Sequence, residues 1–233
     1  MSIFKFKHFD VNQSSVPQKI GTDAMVLGAL VNFNQPQAIL DVGTGCGVIA
    51  LMLAQKFPQA EITGIDIDQG AVLQAQLNFK NADFINHFHV ICQDFTAYFP
   101  TQHFDLIVSN PPFFNTQFHS VDEKRNLARH EGKMRLIDLI HHAERLLSER
   151  GELWMIVPHE RSDELIQKAK HLHLRQQIQI FGKPYRYIRD ILVFSKEKKS
   201  ISTKISSLTI RNQKNEYTKE YKGLTAEFHY NKL

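Results

Sequence analysis

One short run of the chain carries residue types that suit chemistry on an amine: Asn110, Pro111, Pro112 and Phe113. An Asn side chain and a free backbone carbonyl are two hydrogen-bond acceptors, and a Phe ring is a flat surface for stacking. Together they can hold a planar amine, so the four residues are candidates for a catalytic site. The alternative is a loop that only terminates a strand, since neither proline donates a backbone hydrogen bond.

An apolar run directly before this tetrapeptide predicts a buried parallel strand over Phe104–Ser109. Two consecutive prolines cannot continue a sheet, so the chain must turn out of it at Asn110. In open α/β sheets, ligands bind outside the carboxyl ends of the strands. The sequence therefore places Asn110 at the edge where a ligand is expected.

A glycine loop follows another predicted strand, 38–42. Asp41 belongs to this strand, and Gly43, Thr44 and Gly45 lead into an apolar helix pattern. A strand, a glycine loop and a helix in this order let a ligand approach the backbone closely. The glycines alternate as GxGxG instead of the GxGxxG of dinucleotide folds, and no Lys-Ser/Thr pair closes the loop. The pattern therefore argues against NAD, FAD and a P-loop nucleotide.

Acidic residues follow the next two short strands. Asp66 ends a strand in the position where a carboxylate accepts hydrogen bonds from both hydroxyls of a ribose. Asp94 can accept a hydrogen bond from an adenine amino group, and Phe95 can flank the ring. These positions predict a ligand that contains a nucleoside. An acid at a strand end is also a common helix cap, and for Asp94 both interpretations stay open.

Polar residues also lie just before the first apolar helix pattern and at its start. Thr22 or Asp23 suits the N-cap of this helix, and Lys19 lies just before it. A helix N-terminus with a Lys and an Asp beside it can meet a zwitterion such as an amino-acid moiety. An ordinary capped helix is the alternative.

The rest of the chain completes an α/β pattern. Only eight residues separate the last two predicted core strands, too few for a helical crossover, so these strands are expected to be antiparallel. The polar stretch 115–135 predicts a loop over the active edge. The further predicted elements are strands at 89–92, 153–158, 176–181, 190–194 and 207–210, and helices at 71–79, 136–147, 161–172 and 217–228.

Composition limits the class of protein. With 233 residues, 42% of them hydrophobic, the chain can build one sizeable core but not two ordinary domains. No apolar stretch reaches the length of a membrane span, and the N-terminus lacks the features of a signal peptide. We therefore expect a cytoplasmic protein without a membrane partner. A monomer is the separate expectation for its oligomeric state. Neither of the 2 cysteines lies in a CxxC, and no Cys/His spacing suits a metal, so no metal is expected.

Positive charge is concentrated near the C-terminus. The formal net charge is +4, yet from Lys183 onward the chain has 12 Lys and Arg residues against 5 Asp and Glu residues. Such a basic end predicts a surface that contacts phosphates. A merely well-solvated tail is the alternative.

Taken in order, these features resemble the motifs of class I S-adenosylmethionine-dependent methyltransferases, over roughly residues 15 to 195. The glycine loop with Asp41 matches their first motif, Asp66 the second, Asp94 and Phe95 the third, and the tetrapeptide at Asn110 the fourth. The resemblance implies a Rossmann-like seven-stranded sheet with an antiparallel last strand, S-adenosylmethionine as cofactor, and methylation of an exocyclic or amide nitrogen. The cofactor contacts that it implies are Lys19, Thr22, Asp23, Asp41, Gly43, Thr44, Gly45, Asp66, Ile67, Asp94, Phe95 and Asn110.

Several subfamilies share the fourth motif. Release-factor glutamine methyltransferases carry Asn-Pro-Pro-Tyr and an extra helical domain, and the larger ribosomal guanine-N2 methyltransferases have a duplicated N-terminal half. The segments 19–29 and 128–131 instead resemble the bacterial tRNA1(Val) adenine-37 N6-methyltransferases. That resemblance implies an anticodon-loop adenine of tRNA as substrate. The two other methyltransferase activities, and a non-catalytic RNA-binding protein on the same fold, stay open as alternatives.

The domain organisation follows from the same pattern. We expect a methyltransferase domain at 1–197, in which residues 1–35 form an N-terminal arm and the first helix. The basic extension, 198–233, is expected to pack on or near that domain.

Overall fold

The computed structural model describes residues 3–16, 19–112, 135–198 and 203–230. Phe113, the segment 128–131 and nearly all of the polar stretch 115–135 lie outside the described residues. The predictions that concern them therefore stay predictions.

A mixed eight-stranded sheet forms the centre of the molecule. Its strand order is β10-β8-β9-β7-β6-β3-β4-β5, and β9 is the strand that runs antiparallel to both of its neighbours. A separate antiparallel pair, β1 and β2, forms the N-terminal arm. The strands are β1 Ile3–Lys5, β2 Asp10–Asn12, β3 Ala38–Val42, β4 Glu61–Asp66, β5 Phe88–Cys92, β6 Phe104–Ser109, β7 Leu147–Pro158, β8 His173–Lys183, β9 Arg186–Ser195 and β10 Lys204–Thr209.

Six α-helices accompany the sheet within the described residues: α1 Thr22–Leu30, α2 Val48–Lys56, α3 Gln69–Asn81, α4 Leu136–Leu146, α5 Ser162–Lys168 and α6 Lys219–Thr225. Short 3-10 turns lie at Phe95–Ala97 and His159–Arg161. No helix among the described residues is both long and apolar enough to cross a bilayer.

Two hydrophobic clusters lie on opposite faces of the sheet, because successive side chains of a strand point to opposite faces. Leu106 and Val108 of β6 belong to the cluster that includes α1 and α2, whereas Ile107 packs with Leu139 of α4. All of these side chains are buried. The sheet is therefore covered on both faces, as the continuous apolar pattern of its parallel strands indicates.

The predicted fold class is confirmed. The last two core strands, β8 and β9, are antiparallel neighbours, and the edge strand suggested near residue 207 is β10. This strand pairs in parallel with β8, so the sheet has eight strands where the core pattern predicted seven. The boundary between residues 197 and 198 stays a prediction, although β10 extends the sheet of the preceding residues.

Candidate active site

The strand register brings the predicted site residues to one edge of the sheet. Val42 of β3 lies opposite Ile65 of β4 on one side and Ser109 of β6 on the other. Asp66 lies opposite Cys92 of β5. The residues that follow these strands, including the glycine loop, therefore line a common edge.

The glycine loop has a backbone that favours glycine at three positions. Gly43, Gly45 and Gly47 have φ angles of 72°, 57° and 82°, in the left-handed region where side chains are disfavoured. A Cβ atom on Gly47 would lie 2.5 Å from the ring of Phe79, so this glycine allows close packing. A Cβ atom on Gly43 or Gly45 would meet no atom within 4 Å. The loop is therefore open at these two positions, as close approach of a ligand requires.

Asp41 is a buried carboxylate with one unpaired oxygen. Its Oδ2 accepts hydrogen bonds from Thr44 Oγ1 at 2.7 Å and from the Ala50 backbone N–H at 3.3 Å. Its Oδ1 is buried and has no hydrogen-bond partner within the described ranges. Burial raises the pKa of Asp41 from 3.8 to about 7, although the Thr44 hydrogen bond opposes the shift. A cation at Oδ1 would relieve this unfavourable charge burial.

Asp66 connects the end of β4 to the glycine loop. Its Oδ2 accepts a hydrogen bond from the Gly45 backbone N–H at 2.9 Å, and its Oδ1 accepts one from Asp68 at 3.0 Å. The neighbouring Ile67 side chain is 61% exposed. A carboxylate held beside an exposed apolar side chain suits a ribose with its attached base, as predicted for this position.

The third predicted motif forms a different local structure. Asp94 Oδ1 accepts hydrogen bonds from the backbone N–H and the hydroxyl of Thr96, at 2.8 and 2.7 Å, so Asp94 caps the turn that follows. The Phe95 ring is only 4% exposed and packs edge-on against His142 at 4.8 Å. The helix-cap interpretation of Asp94 is thus observed. The cofactor contacts of both residues stay predictions, and the burial of Phe95 leaves little ring surface for a base.

The predicted N-cap of α1 is wrong. Gly21 is the N-cap, with no side-chain hydrogen bond, and Thr22 is the first helical residue. Asp23 instead accepts a hydrogen bond from Arg189 of β9, with the two charged atoms 3.0 Å apart. A long-range ion pair therefore replaces the local cap, because Arg189 is brought to this point only by the folded sheet.

Lys19 binds the backbone that precedes α1. Its Nζ donates hydrogen bonds to the carbonyls of Gln13 and Val16. Burial raises the pKa of the nearby Cys46 thiol to about 11, and the positive charge of Lys19 opposes part of this rise. Lys19 thus lies near the glycine loop, but two of its three N–H donors already bind backbone carbonyls. A direct contact with a zwitterion stays a prediction.

Asn110 lies next to the glycine loop. Ser109, which is fully buried, donates a hydrogen bond from its hydroxyl to the Val42 carbonyl at 2.9 Å and so ties β6 to β3. Asn110 Oδ1 is buried and has no hydrogen-bond partner among the residues described. Pro111 is buried and Pro112 is exposed. A buried acceptor without a partner is unfavourable, so a ligand that donates a hydrogen bond to this oxygen would stabilise the site.

A pocket with a cavity volume of about 340 Å³ adjoins Asn110. Its walls come from the start of α1, the end of β6, the β8–β9 hairpin and the residues after β10: Gly21, Thr22, Asp23, Asn110, Gly182, Ile188, Ile210 and Arg211. Gly21 and the last four were not predicted from the sequence as site residues. The basic character of the C-terminal end was the only signal for Arg211, whose guanidinium stacks 3.9 Å above the Tyr217 ring.

Among the described residues, no group of three or more His, Cys, Asp or Glu side chains is arranged to hold a metal ion. The expectation that the protein uses no metal stays a prediction.

Comparisons with known proteins agree with the motif order. The family model for the methyltransferase small domain matches residues 18–179. A tRNA1(Val) (adenine(37)-N6)-methyltransferase of Histophilus somni is 37% identical and is aligned over 98% of this chain and 97% of its own. A relative with the same name from Parabacteroides distasonis is 36% identical, over 97% of each chain.

Solved structures support the fold independently. A predicted O-methyltransferase from Agrobacterium tumefaciens superposes with a TM-score of 0.69, over 88% of this chain and 96% of its own, at 20% sequence identity. At that identity the likeness concerns the fold alone. The fold, the family model and the near full-length relatives together place the chain in the methyltransferase small domain family and in the family of tRNA1(Val) (adenine(37)-N6)-methyltransferases.

Proposed function

We propose that the protein methylates the exocyclic N6 of adenine 37 in tRNA1(Val), with S-adenosylmethionine as methyl donor. The relatives that bear this activity in their names match nearly the whole chain. The observation that carries the proposal is the buried Asn110 Oδ1, which lacks a hydrogen-bond partner within the described part of the chain and belongs to a residue that lines a pocket. An adenine amino group supplies the hydrogen-bond donor that this oxygen lacks.

The chemistry explains why the site needs acceptors. The lone pair of an aromatic amine is delocalised into the ring, so the nitrogen is a poor nucleophile. Asn110 Oδ1 and the Pro111 carbonyl accept its two N–H bonds, which favours a pyramidal nitrogen and aims the lone pair away from the acceptors. The same acceptors stabilise the positive charge that develops on nitrogen. Alignment of the two reacting atoms contributes most of the remaining acceleration.

The glycine-loop half of the edge fits S-adenosylmethionine. When bound, the cofactor supplies a methyl group activated by a sulfonium. We assign the unpaired Oδ1 of Asp41 to the ammonium of the methionine moiety, because a cation there compensates the buried charge. Gly43 and Gly45 leave room for close approach, and Asp66 accepts hydrogen bonds from the ribose hydroxyls.

The target base leaves its stack to reach Asn110. Enzymes that act on a nucleobase flip it into a pocket or take it from a single strand. The pocket beside Asn110 receives the adenine, and Phe113 provides a stacking surface for it. Arg211 brings a positive charge to the pocket wall. Its guanidinium lies over the Tyr217 ring and donates a hydrogen bond to the Asn215 carbonyl at 2.7 Å. This charge attracts the phosphates of the RNA.

The enzyme works in the cytoplasm, where its tRNA substrate is found, as a monomer without a metal ion or a membrane partner. A sedimentation experiment tests the oligomeric state. Undiminished turnover in the presence of a chelator tests the independence from metal.

Tritiated S-adenosylmethionine tests the substrate. The purified protein is incubated separately with unmodified total tRNA, ribosomal RNA and release factors, and any labelled product is digested to nucleosides or peptides. We expect the label in N6-methyladenosine from a valine tRNA. Label in N2-methylguanosine from ribosomal RNA, or in a glutamine of protein, would retain the methyltransferase chemistry and overturn the substrate. Absence of label in all three pools, despite measured cofactor binding, would favour a non-catalytic RNA-binding protein.

A further inference from the structure

The tip of the β8–β9 hairpin exposes a tyrosine. Lys183 pairs with Arg186 across the hairpin, so the loop consists of Pro184 and Tyr185 alone. The Tyr185 side chain is 95% exposed, the highest fraction among the exposed large hydrophobic side chains of the described ranges. Burial does not account for an aromatic side chain at this position.

The backbone at Tyr185 is also unfavourable. Its φ angle is +64°, in the left-handed region that a side chain with a Cβ atom rarely adopts. A Pro followed by a residue of positive φ is the pattern of a type II turn, which favours Gly or Asn at this second position. The chain has a tyrosine instead. Departures from such a local preference are expected where a side chain has a function.

The base of the hairpin holds this tip in place. Tyr187 stacks between His159 and Phe181, with ring centroids 4.4 and 5.1 Å apart. Its hydroxyl donates a hydrogen bond to the buried Asp190 at 2.6 Å. Tyr185 is therefore presented on a rigid support, which lowers the entropy lost on binding.

The two strands that carry the tip contribute Gly182 and Ile188 to the Asn110 pocket. Phe181 pairs with Tyr187, whereas Lys183 pairs with Arg186, so Gly182 forms a bulge that bends the hairpin. Gly182 itself lines the pocket. A ligand that fills the pocket and extends beyond it along this edge therefore reaches the tip.

The chemistry of the tip matches single-stranded RNA. Two cations, Lys183 and Arg186, flank the exposed ring, and the four tip residues include no anion. Aromatic rings that stack on unpaired bases, with basic residues on the neighbouring phosphates, are the usual surface for single-stranded nucleic acid. We propose that Tyr185 stacks on an unpaired nucleotide next to the target adenine, while Lys183 and Arg186 contact its phosphates. This inference rests on the proposed tRNA substrate.

The substitution Tyr185→Asn separates recognition from stability. Asn is favoured at this turn position, so we expect a thermal midpoint equal to or above that of the wild type. The dissociation constant for an unmodified tRNA transcript, measured by fluorescence anisotropy, should rise about tenfold, the effect of one lost base–aromatic stack. The kcat at saturating tRNA should stay within about twofold, and Tyr185→Phe should bind as the wild type does.

The matched control is Tyr230→Asn. Tyr230 is also exposed, but it follows Glu227, whose carbonyl accepts a hydrogen bond from Gln55 near the end of α2. Because α2 begins at the glycine loop and runs away from it, Glu227 lies away from the loop. Tyr230 contacts Lys5 of the N-terminal arm, 5.8 Å from its ring centroid, and does not line the pocket. This variant should bind tRNA normally.

Abasic nucleotides locate the partner of Tyr185. Transcripts with a single abasic site at each anticodon-loop position are compared in the wild type and in Tyr185→Asn. At the stacked position, removal of the base should weaken binding to the wild type about tenfold and leave binding to the variant unchanged. Additive losses at every position would overturn the stacked contact.

The outcomes also distinguish this inference from the substrate proposal. Unchanged tRNA affinity of Tyr185→Asn, with normal methylation, would overturn the hairpin contact alone and point to a protein partner for the exposed ring. Binding that depends on Tyr185 without methylation of any adenine would overturn the proposed reaction alone.

Discussion

The two halves of the ligand-binding edge are built in different ways. The loop side, formed by β3, β4 and β5, takes its polar groups from short motifs that fold locally around the glycine loop. The pocket side, formed by β6 to β10 and the start of α1, combines segments that lie far apart in the chain. Each side contains one buried side-chain oxygen that lacks a partner within the described residues: Asp41 Oδ1 and Asn110 Oδ1.

The difference in charge between these two side chains indicates that they bind different parts of the ligands. Burial raises the pKa of the Asp41 carboxylate, so this group suits a cationic part of the ligand. Asn110 is neutral, so it accepts hydrogen bonds from an amine without fixing its charge beforehand. Cofactor binding should therefore depend on the loop side, and methyl transfer on the pocket side.

The largest expected effect is that of Asn110→Ala on the chemical step. Loss of one acceptor that acts on developing charge should lower the single-turnover rate about 100- to 1,000-fold. The cofactor dissociation constant, measured by isothermal titration, should change less than about threefold. Asn34→Ala, which replaces an exposed Asn before β3, is the control and should change neither. Equal losses in rate and cofactor affinity would show that Asn110 acts in cofactor binding as much as in methyl transfer.

Asp41→Asn should weaken cofactor binding more than it slows methyl transfer. We expect cofactor affinity to fall about tenfold or more, since a buried charge pair is lost. The free energy of unfolding of the ligand-free protein at pH 8 should instead rise, by at most about 4 kcal/mol, because a neutral amide avoids the burial of a charge. Titration calorimetry and urea unfolding measure the two quantities. Asp163→Asn, at an exposed position, is the control. Unchanged cofactor affinity would place the ammonium elsewhere.

The pH dependence sharpens this assignment. The folded-state pKa of Asp41, about 7, lies above its ordinary 3.8, so the folded protein holds this proton more tightly than the unfolded chain. The contribution of Asp41 to stability is therefore greatest below pH 4 and is lost as pH rises from about 4 to about 7. A bound cation lowers this pKa, so cofactor binding at pH 6.5 should release up to about one proton. Calorimetry in buffers of different ionisation enthalpy should detect the release, and Asp41→Asn should abolish it.

The smallest effect concerns the phosphate contacts of the pocket side. The affinity for tRNA should fall steeply with salt concentration, since phosphate contacts release counterions. Arg186→Ala should reduce the slope of log affinity against log salt by about 1. Lys80→Ala, at an exposed position in the last turn of α3, should leave the slope unchanged. A flat dependence in the wild type would rule out the basic surface as an RNA contact.

The sequence was most informative on the loop side. The strand–glycine loop–helix pattern and the acid that ends β4 are local signals, and the structure places them as the spacing indicates. The N-cap of α1 was mispredicted because a partner 166 residues away, Arg189, engages Asp23. Phe95 likewise packs against His142 of α4, which is distant in the chain. Local propensity cannot anticipate such tertiary contacts.

The pocket side was predicted only in part. Asn110 was found because the two prolines must end its strand, but Ile188, Ile210 and Arg211 reach the pocket through the pairing of β8 with β9 and β10. The turn at Tyr185 lacks the Gly or Asn that would predict it. These residues become visible as site residues only when the sheet is assembled.

The position of the methyl group in a valine tRNA decides whether this protein modifies adenine 37 through Asn110. An unmodified tRNA1(Val) transcript is incubated with the protein and S-adenosylmethionine, cleaved with a nuclease, and its fragments are sequenced by mass spectrometry. We predict one added methyl group on N6 of adenine 37, no product with a transcript that carries guanine at that position, and almost none with the Asn110→Ala variant. A methyl group on another nucleotide, or unchanged product with Asn110→Ala, would contradict the account.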